Sequence, residues 1–215
     1  MATADESDIY AEIIEGFRRP TGPMTEDEFV AWSDEDVRAE WVDGEVIIMS
    51  PCSSNHVRIV GWLYRLLGDY VDDRGLGEVF GPELTTRFAA IRQRRVPDLF
   101  FVARDRLDLV LKNHFEGAPD LAVEVVSPDS QERDRRDKYA AYAKVGVREY
   151  WMIDPDEEEL KVYVLGDRGR YRAVKAEGGR VASTAVPGFY LRPGWLWQRP
   201  LPSKRDVLRE LDPRG

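Results

Sequence analysis

Apolar and polar residues alternate along several short segments of the chain, and this spacing predicts β-strands. The turn pair Asp43-Gly44 separates two such segments, AEWV and EVII, and predicts a β-hairpin. Further strand-like segments are GEVFGPELTTRF (77–88), VPDLFFVA (96–103), PDLAVEVV (119–126), EYWMID (149–154), LKVYVLG (160–166) and RYRAVKA (170–176). The chain is therefore expected to be rich in short strands.

Other segments repeat their apolar residues every three or four positions, as amphipathic helices do. The longest predicted helix contains Val57–Val71 and ends at Gly75. Thr25 and Glu28 form a capping-box pattern at the start of a short helix, and another helix is expected from Asp129 to Gly146. Short helices are also predicted around Ile9–Phe17 and near the C-terminus. This order of elements predicts an α/β fold, a mixed β-sheet core flanked by helices with added β-hairpins.

The length of 215 residues suits one main domain with extensions. Residues 1–24 are interpreted as an N-terminal appendage, residues 25–198 as the main domain, and residues 199–215 as a C-terminal tail with a short helix. No apolar run approaches the roughly 20 residues of a membrane span, so no membrane partner is expected. The acidic N-terminus does not resemble a signal peptide, and the single cysteine, Cys52, excludes a disulfide within the chain. A cytoplasmic location is expected.

The net charge of −9 opposes loose, sequence-independent binding to nucleic acid. It leaves room for local basic clusters, and the chain has three: RQRRVPD (92–98), RDR (104–106) and RDRRDK (133–138). Each cluster by itself is interpreted as a solvated face or loop.

Three acidic residues stand within apolar strand segments: Asp98, Asp120 and Glu124. If their strands pair with the acidic faces aligned, two or three carboxylates converge. Such a cluster suits Mg²⁺, which proteins bind through one or two carboxylates plus water molecules. The alternative is that each acid pairs with an arginine or lies at an exposed strand end.

Lys138 belongs to a helical stripe with Asp134, Tyr142 and Val145. Tyr142 and Val145 are expected to face the sheet, which turns Lys138 towards the acidic strand as well. A buried lysine needs an anion nearby, and it can stabilise charge on a phosphate or orient an attacking water. The alternative is a lysine whose head reaches solvent beside Asp134.

Taken together, these segments resemble the Uma2 (DUF820) family. The segments that carry the resemblance, in the family's order over roughly residues 25–195, are EWVDGEVIIMSP followed by a histidine, VPDLFFV, PDLAVEVVSPDS, DKYAAYAKVGVREYWMIDP and VYVL. The resemblance implies a restriction-endonuclease-like fold of the PD-(D/E)XK superfamily and a metal-dependent DNA nuclease. Pro97-Asp98 matches the PD and Glu124 the acidic position, but Val126 stands where the motif has lysine. The resemblance implies that Lys138 replaces this lysine from the following helix.

The resemblance also implies which residues form the active site. Asp98, Glu124 and Lys138 are the expected catalytic residues. Asp98, Glu124 and the backbone carbonyl of Val125 are the expected ligands of Mg²⁺ or Mn²⁺. Additional candidates are Asp120, Glu40 and His56. Nucleic acid, most readily DNA, is the expected partner, and nucleases of this fold commonly form homodimers.

Other functions remain open at this stage. Val126 and the acidic net charge motivate a protein of the same fold that binds nucleic acid or other proteins with weak or no catalysis. A Cys52–His56 pair for nucleophilic catalysis has no further support, and three acids with a lysine fit a carboxylate-pair sugar hydrolase less well.

Overall fold

The computed structural model describes residues 20, 22–33, 37–49, 51–126 and 133–212, without the side chains of residues 133–135. The helix predicted around Ile9–Phe17 and the helix start predicted at Asp129 lie outside the described residues. Thirteen strands are present in the described part of the chain. They are β1 (Ala39–Val42), β2 (Glu45–Ile48), β3 (Gly77–Phe80), β4 (Thr85–Phe88), β5 (Gln93–Arg95), β6 (Leu99–Ala103), β7 (His114–Glu116), β8 (Leu121–Val125), β9 (Glu149–Asp154), β10 (Glu159–Leu165), β11 (Tyr171–Val174), β12 (Val181–Ala182) and β13 (Tyr190–Leu191).

Five α-helices accompany these strands in the described residues: α1 (Glu26–Trp32), α2 (Ser54–Arg74), α3 (Tyr139–Val145), α4 (Pro193–Leu196) and α5 (Lys204–Leu211). Helix α1 begins with the predicted capping box, in which Thr25 and Glu28 bond each other's backbone N–H. Helix α2 ends at Gly75, whose left-handed backbone (φ 57°) suits glycine. A π-helical turn, Arg133–Lys138, leads directly into α3, and 3-10 turns occupy Ala89–Ile91 and Arg104–Leu109.

The strands form two main sheets and one two-stranded sheet, β12-β13. The large sheet has six strands in the order β11-β10-β9-β8-β6-β3, all neighbours antiparallel except the parallel pair β8 and β9. The connection between these two parallel strands contains the π-helical turn and α3. The small sheet has the order β2-β1-β5-β4-β7. The chain passes from the small sheet to the large one between β5 and β6, through residues 96–98.

Helices cover both faces of the large sheet. Helix α2 buries Ile59, Leu63, Leu66 and Leu67 against alternate residues of β6 and β8, such as Leu99 and Val123. On the opposite face, Tyr142 of α3 packs with Ala122 of β8 and Tyr150 and Met152 of β9. These two layers account for the apolar alternation of the strands, because each face of the sheet is buried under a helix.

The C-terminal segment, expected to be a tail, packs on the core. Val207 and Leu211 of α5 belong to the same hydrophobic cluster as α2. The indole N–H of Trp62 donates to the carbonyl of Pro202 at 2.9 Å, and Arg74 forms an ion pair with Asp212. The division at residue 198 stays a prediction, but this helix shares the core of the main domain.

The predicted α/β class, a mixed sheet flanked by helices with added hairpins, is confirmed. Strands β5, β7 and β12 were not predicted, because each has only two or three residues and no clear alternation. Among the described residues, no helix combines the length and the apolar character that crossing a membrane requires.

We predict that Val207→Ala lowers the free energy of unfolding by about 2 kcal/mol, because it removes buried methyl groups and leaves a cavity between α5 and α2. Urea denaturation followed by tryptophan fluorescence measures the change. Val30→Ala is the matched control, since Val30 is 45% exposed and Val207 only 3%. Equal effects of the two substitutions would contradict the packing of α5 on the core.

Candidate metal-binding and catalytic centre

Asp98 lies where the chain enters the large sheet, directly before β6. Its side chain is buried and its two carboxylate oxygens have different partners. The backbone N–H of Val125 donates to Oδ2 at 2.8 Å, and Nε2 of His56 lies 3.1 Å from Oδ1. Asp98 is therefore anchored to β8 on one side and to the start of α2 on the other.

Glu124 lies across from Asp98. The register of β6 and β8 pairs Leu99 with Val123, so its continuation by one residue sets Asp98 opposite Glu124. The carboxylate of Glu124 accepts a hydrogen bond from the ammonium of Lys138 at 2.7 Å and another from the hydroxyl of Tyr142 at 2.5 Å. The strands therefore pair with these two acids on the same face of the sheet.

Lys138 is the last residue of the π-helical turn, and it is 1% exposed. Its Nζ atom lies 2.7 Å from Glu124 Oε2 and 3.2 Å from Glu40 Oε1. The alternative in which this lysine reaches solvent is wrong, because the side chain is buried between carboxylates that come from the two sheets. π-Helical turns occur frequently at functional sites.

Glu40 and Arg95 form a buried ion pair across the small sheet. The register of β1 and β5 pairs Trp41 with Arg94, so Glu40 faces Arg95, and their side chains meet at 2.9 Å. Glu40 also accepts the backbone N–H of Val96 at 3.2 Å. Burial would raise the pKa of Glu40, but the charges of Lys138 and Arg95 outweigh burial and lower it to about 2. Glu40 is therefore held ionised beside Lys138.

Arg95 and Tyr142 are members of this centre that the sequence did not assign to it. Arg95 belongs to the cluster RQRRVPD, interpreted as a solvated face or loop, and that interpretation is wrong for Arg95, which is 2% exposed. Tyr142 was expected to face the sheet, as it does, but without a chemical role. Burial, together with the charges of Glu124 and Glu40, raises its pKa far above the ordinary value, so it remains a proton donor to Glu124.

His56 occupies the first turn of α2, where its backbone N–H is capped by the hydroxyl of Ser53. Burial would lower the pKa of His56, but the hydrogen bond and charge of Asp98 raise it overall. Its other ring nitrogen, Nδ1, is buried and has no hydrogen-bond partner among the described residues. Cys52 instead lies 4.0 Å from a guanidinium nitrogen of Arg38, so His56 is directed at Asp98 and not at the thiol.

Asp120 is not brought to this centre. It lies at the other end of β8, where Arg106 and Arg148 approach its carboxylate at 3.0 and 3.1 Å and the N–H of Ala103 donates to it. For Asp120 the ion-pair alternative is therefore the observed arrangement. Val126, where the short motif has lysine, is 3% exposed and packs beside Tyr142 and Met152.

The donor chemistry around Asp98 and Glu124 fits a small divalent cation. Two facing carboxylates and the nearby carbonyl of Val125 are hard oxygen donors, and Mg²⁺ is commonly held by one or two carboxylates completed by water. Each carboxylate has about four acceptor sites, so a cation is compatible with the bonds already present. Among the residues that the structure describes, no group of three or more histidine, cysteine or acidic side chains is placed to hold a metal.

We predict that the stabilising effect of Glu40 depends on pH. Its folded pKa of about 2 lies below the ordinary 4.5, so ionised Glu40 stabilises the fold above pH 4.5 and loses that effect as the pH falls towards 2. Wild type should exceed Glu40→Gln by about 3 kcal/mol in free energy of unfolding at neutral pH, and by less at each step below pH 4.5. Urea denaturation across this range measures the difference, with the exposed Glu45→Gln as control. A difference that stays constant down to pH 3 would contradict the assignment.

Comparisons with known proteins agree with this architecture. The model of the Uma2 family, described as "Putative restriction endonuclease", matches residues 26–194. Two proteins of Synechocystis sp. are also similar. "Uncharacterized protein slr1290" is 26% identical over 154 residues, 70% of this chain and 78% of its own length, and "Uncharacterized protein sll1609" is 28% identical over 138 residues, 61% of this chain and 75% of its own length.

A solved structure is similar as well: "a putative nuclease belonging to DUF820" from Anabaena variabilis. It superimposes with a TM-score of 0.70 at 23% identity and covers 81% of this chain and 98% of its own. This likeness shows a shared fold, and the expected restriction-endonuclease-like class is confirmed. Because the family model spans most of the 215 residues, the chain belongs to the Uma2 family.

Proposed function

We propose that this protein is a metal-dependent endonuclease that hydrolyses phosphodiester bonds of DNA with Mg²⁺ or Mn²⁺. The observation that carries the proposal is the buried ammonium of Lys138, held 2.7 Å from Glu124 while Asp98 faces Glu124 from the next strand. Two carboxylates at neighbouring strands, with a lysine bound to one of them, are the groups that the chemistry needs. Membership of the Uma2 family supports the same activity.

Asp98, Glu124 and the carbonyl of Val125 would hold the metal ion. A bound divalent cation lowers the pKa of a coordinated water and neutralises negative charge on the phosphate. The N–H of Val125 and the ring of His56 fix the Asp98 carboxylate, so its direction is set before any ligand arrives. Tyr142 does the same for Glu124. Groups that are already fixed in position contribute more to catalysis than groups that must first be ordered.

Lys138 would orient the attacking water against the phosphate. Its ammonium has three N–H donors, and Glu40 retains one of them when the bond to Glu124 is exchanged for an oxygen of water or phosphate. Glu40 and Arg95 thus act as positioning residues. They keep the lysine at the centre although it comes from a helix and not from the strand.

We predict that Asp98→Asn and Glu124→Gln abolish metal-dependent stabilisation and lower DNA cleavage by more than about 100-fold, because each removes a charged ligand. Thermal unfolding with and without Mn²⁺ reports binding, and plasmid nicking reports cleavage. Asp120→Asn is the matched control, since Asp120 is equally buried on β8 but paired with arginines. Wild type that gains no stability from either metal would contradict the metal centre.

We also predict that Lys138→Met lowers kcat by about 100-fold or more with little change in KM, as expected for a group acting in the transition state. Glu40→Gln should lower kcat as well, but should add nothing to Lys138→Met, because it acts through that lysine. Steady-state cleavage of a labelled duplex by the four proteins of this cycle measures the coupling. Lys144→Met, an exposed lysine of α3, is the control. Independent, multiplying effects would refute the positioning role of Glu40.

A second function of the same fold is a nucleic-acid-binding or interaction module without efficient catalysis. The buried Val126 at the usual lysine position favours it. This alternative is supported if the metal stabilises the wild type while neither DNA strand is cut.

We further propose that the protein forms a homodimer, which would bring one centre to each strand of a duplex, and that it is cytoplasmic. Light scattering tests the dimer.

A further inference from the structure

Arginine side chains surround the start of α2, next to the candidate centre. Arg58, in the first turns of this helix, donates to the carbonyl of Gln198 at 3.0 Å and approaches the side-chain oxygen of Asn55 at 3.4 Å. Both acceptors are neutral. The guanidinium of Arg58 is therefore held in one direction while its positive charge is left without a counter-ion.

Arg199 follows Gln198 and adds a second positive charge beside Arg58. Burial lowers the pKa of Arg58, and the neighbouring positive charge of Arg199 lowers it further. Arg38 lies near the start of α2, where it contacts Cys52, the residue before the N-cap, and where its charge acts on His56. Within the described residues, no carboxylate forms an ion pair with Arg38, Arg58 or Arg199.

This pattern differs from that of most other arginines of the chain. Many are paired with acids, including Arg74, Arg87, Arg94, Arg106 and Arg192. Acidic residues are plentiful in a chain of net charge −9, but none of the described ones forms an ion pair with these three arginines. Neighbouring cations repel each other, and an anionic ligand offsets that repulsion.

Two of these arginines, Arg38 and Arg58, lie close to the centre along the chain. Arg38 precedes Glu40 by two residues on the way into β1, and Arg58 follows His56 by two residues in α2. His56 and Glu40 in turn contact Asp98 and Lys138. The arginine surface, defined as Arg38, Arg58 and Arg199, therefore lies at the same end of α2 as the contact between His56 and Asp98.

We propose that the arginine surface binds the phosphodiester backbone of nucleic acid beside the scissile bond. The location of that bond rests on the proposed function, whereas the binding itself does not. Arginine forks match phosphate oxygens, and contacts to the backbone fix the position of the strand without reading its sequence. The surface gives an acidic protein a local site for a polyanion.

Binding of an end-labelled DNA duplex to the full-length protein tests this inference, measured by fluorescence anisotropy in EDTA so that no cleavage occurs. The double variant Arg58→Gln/Arg199→Gln should bind about tenfold more weakly, and its plot of log K against log salt should be shallower by about two, one for each lost phosphate contact. Arg168→Gln/Arg170→Gln is the matched control, because both residues are exposed near the β10–β11 turn and the loss of charge is the same. The control should keep the slope and affinity of the wild type.

The exposed Arg199→Gln alone, with thermal unfolding measured for every variant, guards against misfolding of the double variant, and Arg58→Lys/Arg199→Lys should restore the slope. An unchanged slope in the Arg58/Arg199 variant, an equal loss in the control, or no DNA binding by the wild type would each overturn the inference. A wild type that binds DNA through these arginines but cuts nothing with Mg²⁺ or Mn²⁺ would leave the inference standing and defeat the proposed function.

Discussion

A buried ammonium between two carboxylates, Lys138 between Glu124 and Glu40, is the interaction on which the candidate centre depends. Burying these charges singly would cost several kcal/mol each, and the cost is offset only because they meet. In the described residues, the carboxylates of Asp98, Glu124 and Glu40 lie against His56, Lys138 and Arg95, respectively.

The geometry of the centre depends on the segment in which the chain passes from the small sheet to the large sheet between β5 and β6. Arg95 ends β5 in the small sheet, and Asp98 precedes β6 in the large sheet, so only Val96 and Pro97 separate the two halves of the centre. Glu40 faces Arg95 in one sheet, and Glu124 faces Asp98 in the other. Lys138 then forms ion pairs with both Glu40 and Glu124. The dipeptide Pro97-Asp98 is thus a junction of the fold as well as a part of its chemistry.

Much of this arrangement could be predicted from the sequence because it depends on local periodicity. The alternation in residues 119–126 placed Glu124 on one face, and the spacing of Lys138 and Tyr142 turned both towards the sheet. The role of Arg95 could not be predicted, because its burial depends on pairing between β1 and β5, which are far apart along the chain. The environment of Asp120 likewise depends on residues distant along the chain: it shares a face with Glu124, but Arg106 and Arg148 pair with it at the other strand end.

We propose that Asp98 and Glu124 together hold a divalent cation. Anomalous diffraction from crystals soaked in Mn²⁺ tests it most directly, because the signal locates the ion without any assumption about activity. We expect one strong anomalous peak within coordination distance, about 2.0–2.3 Å, of carboxylate oxygens of both residues. A peak elsewhere, or none at this position in ordered crystals with Mn²⁺ in excess, would contradict it.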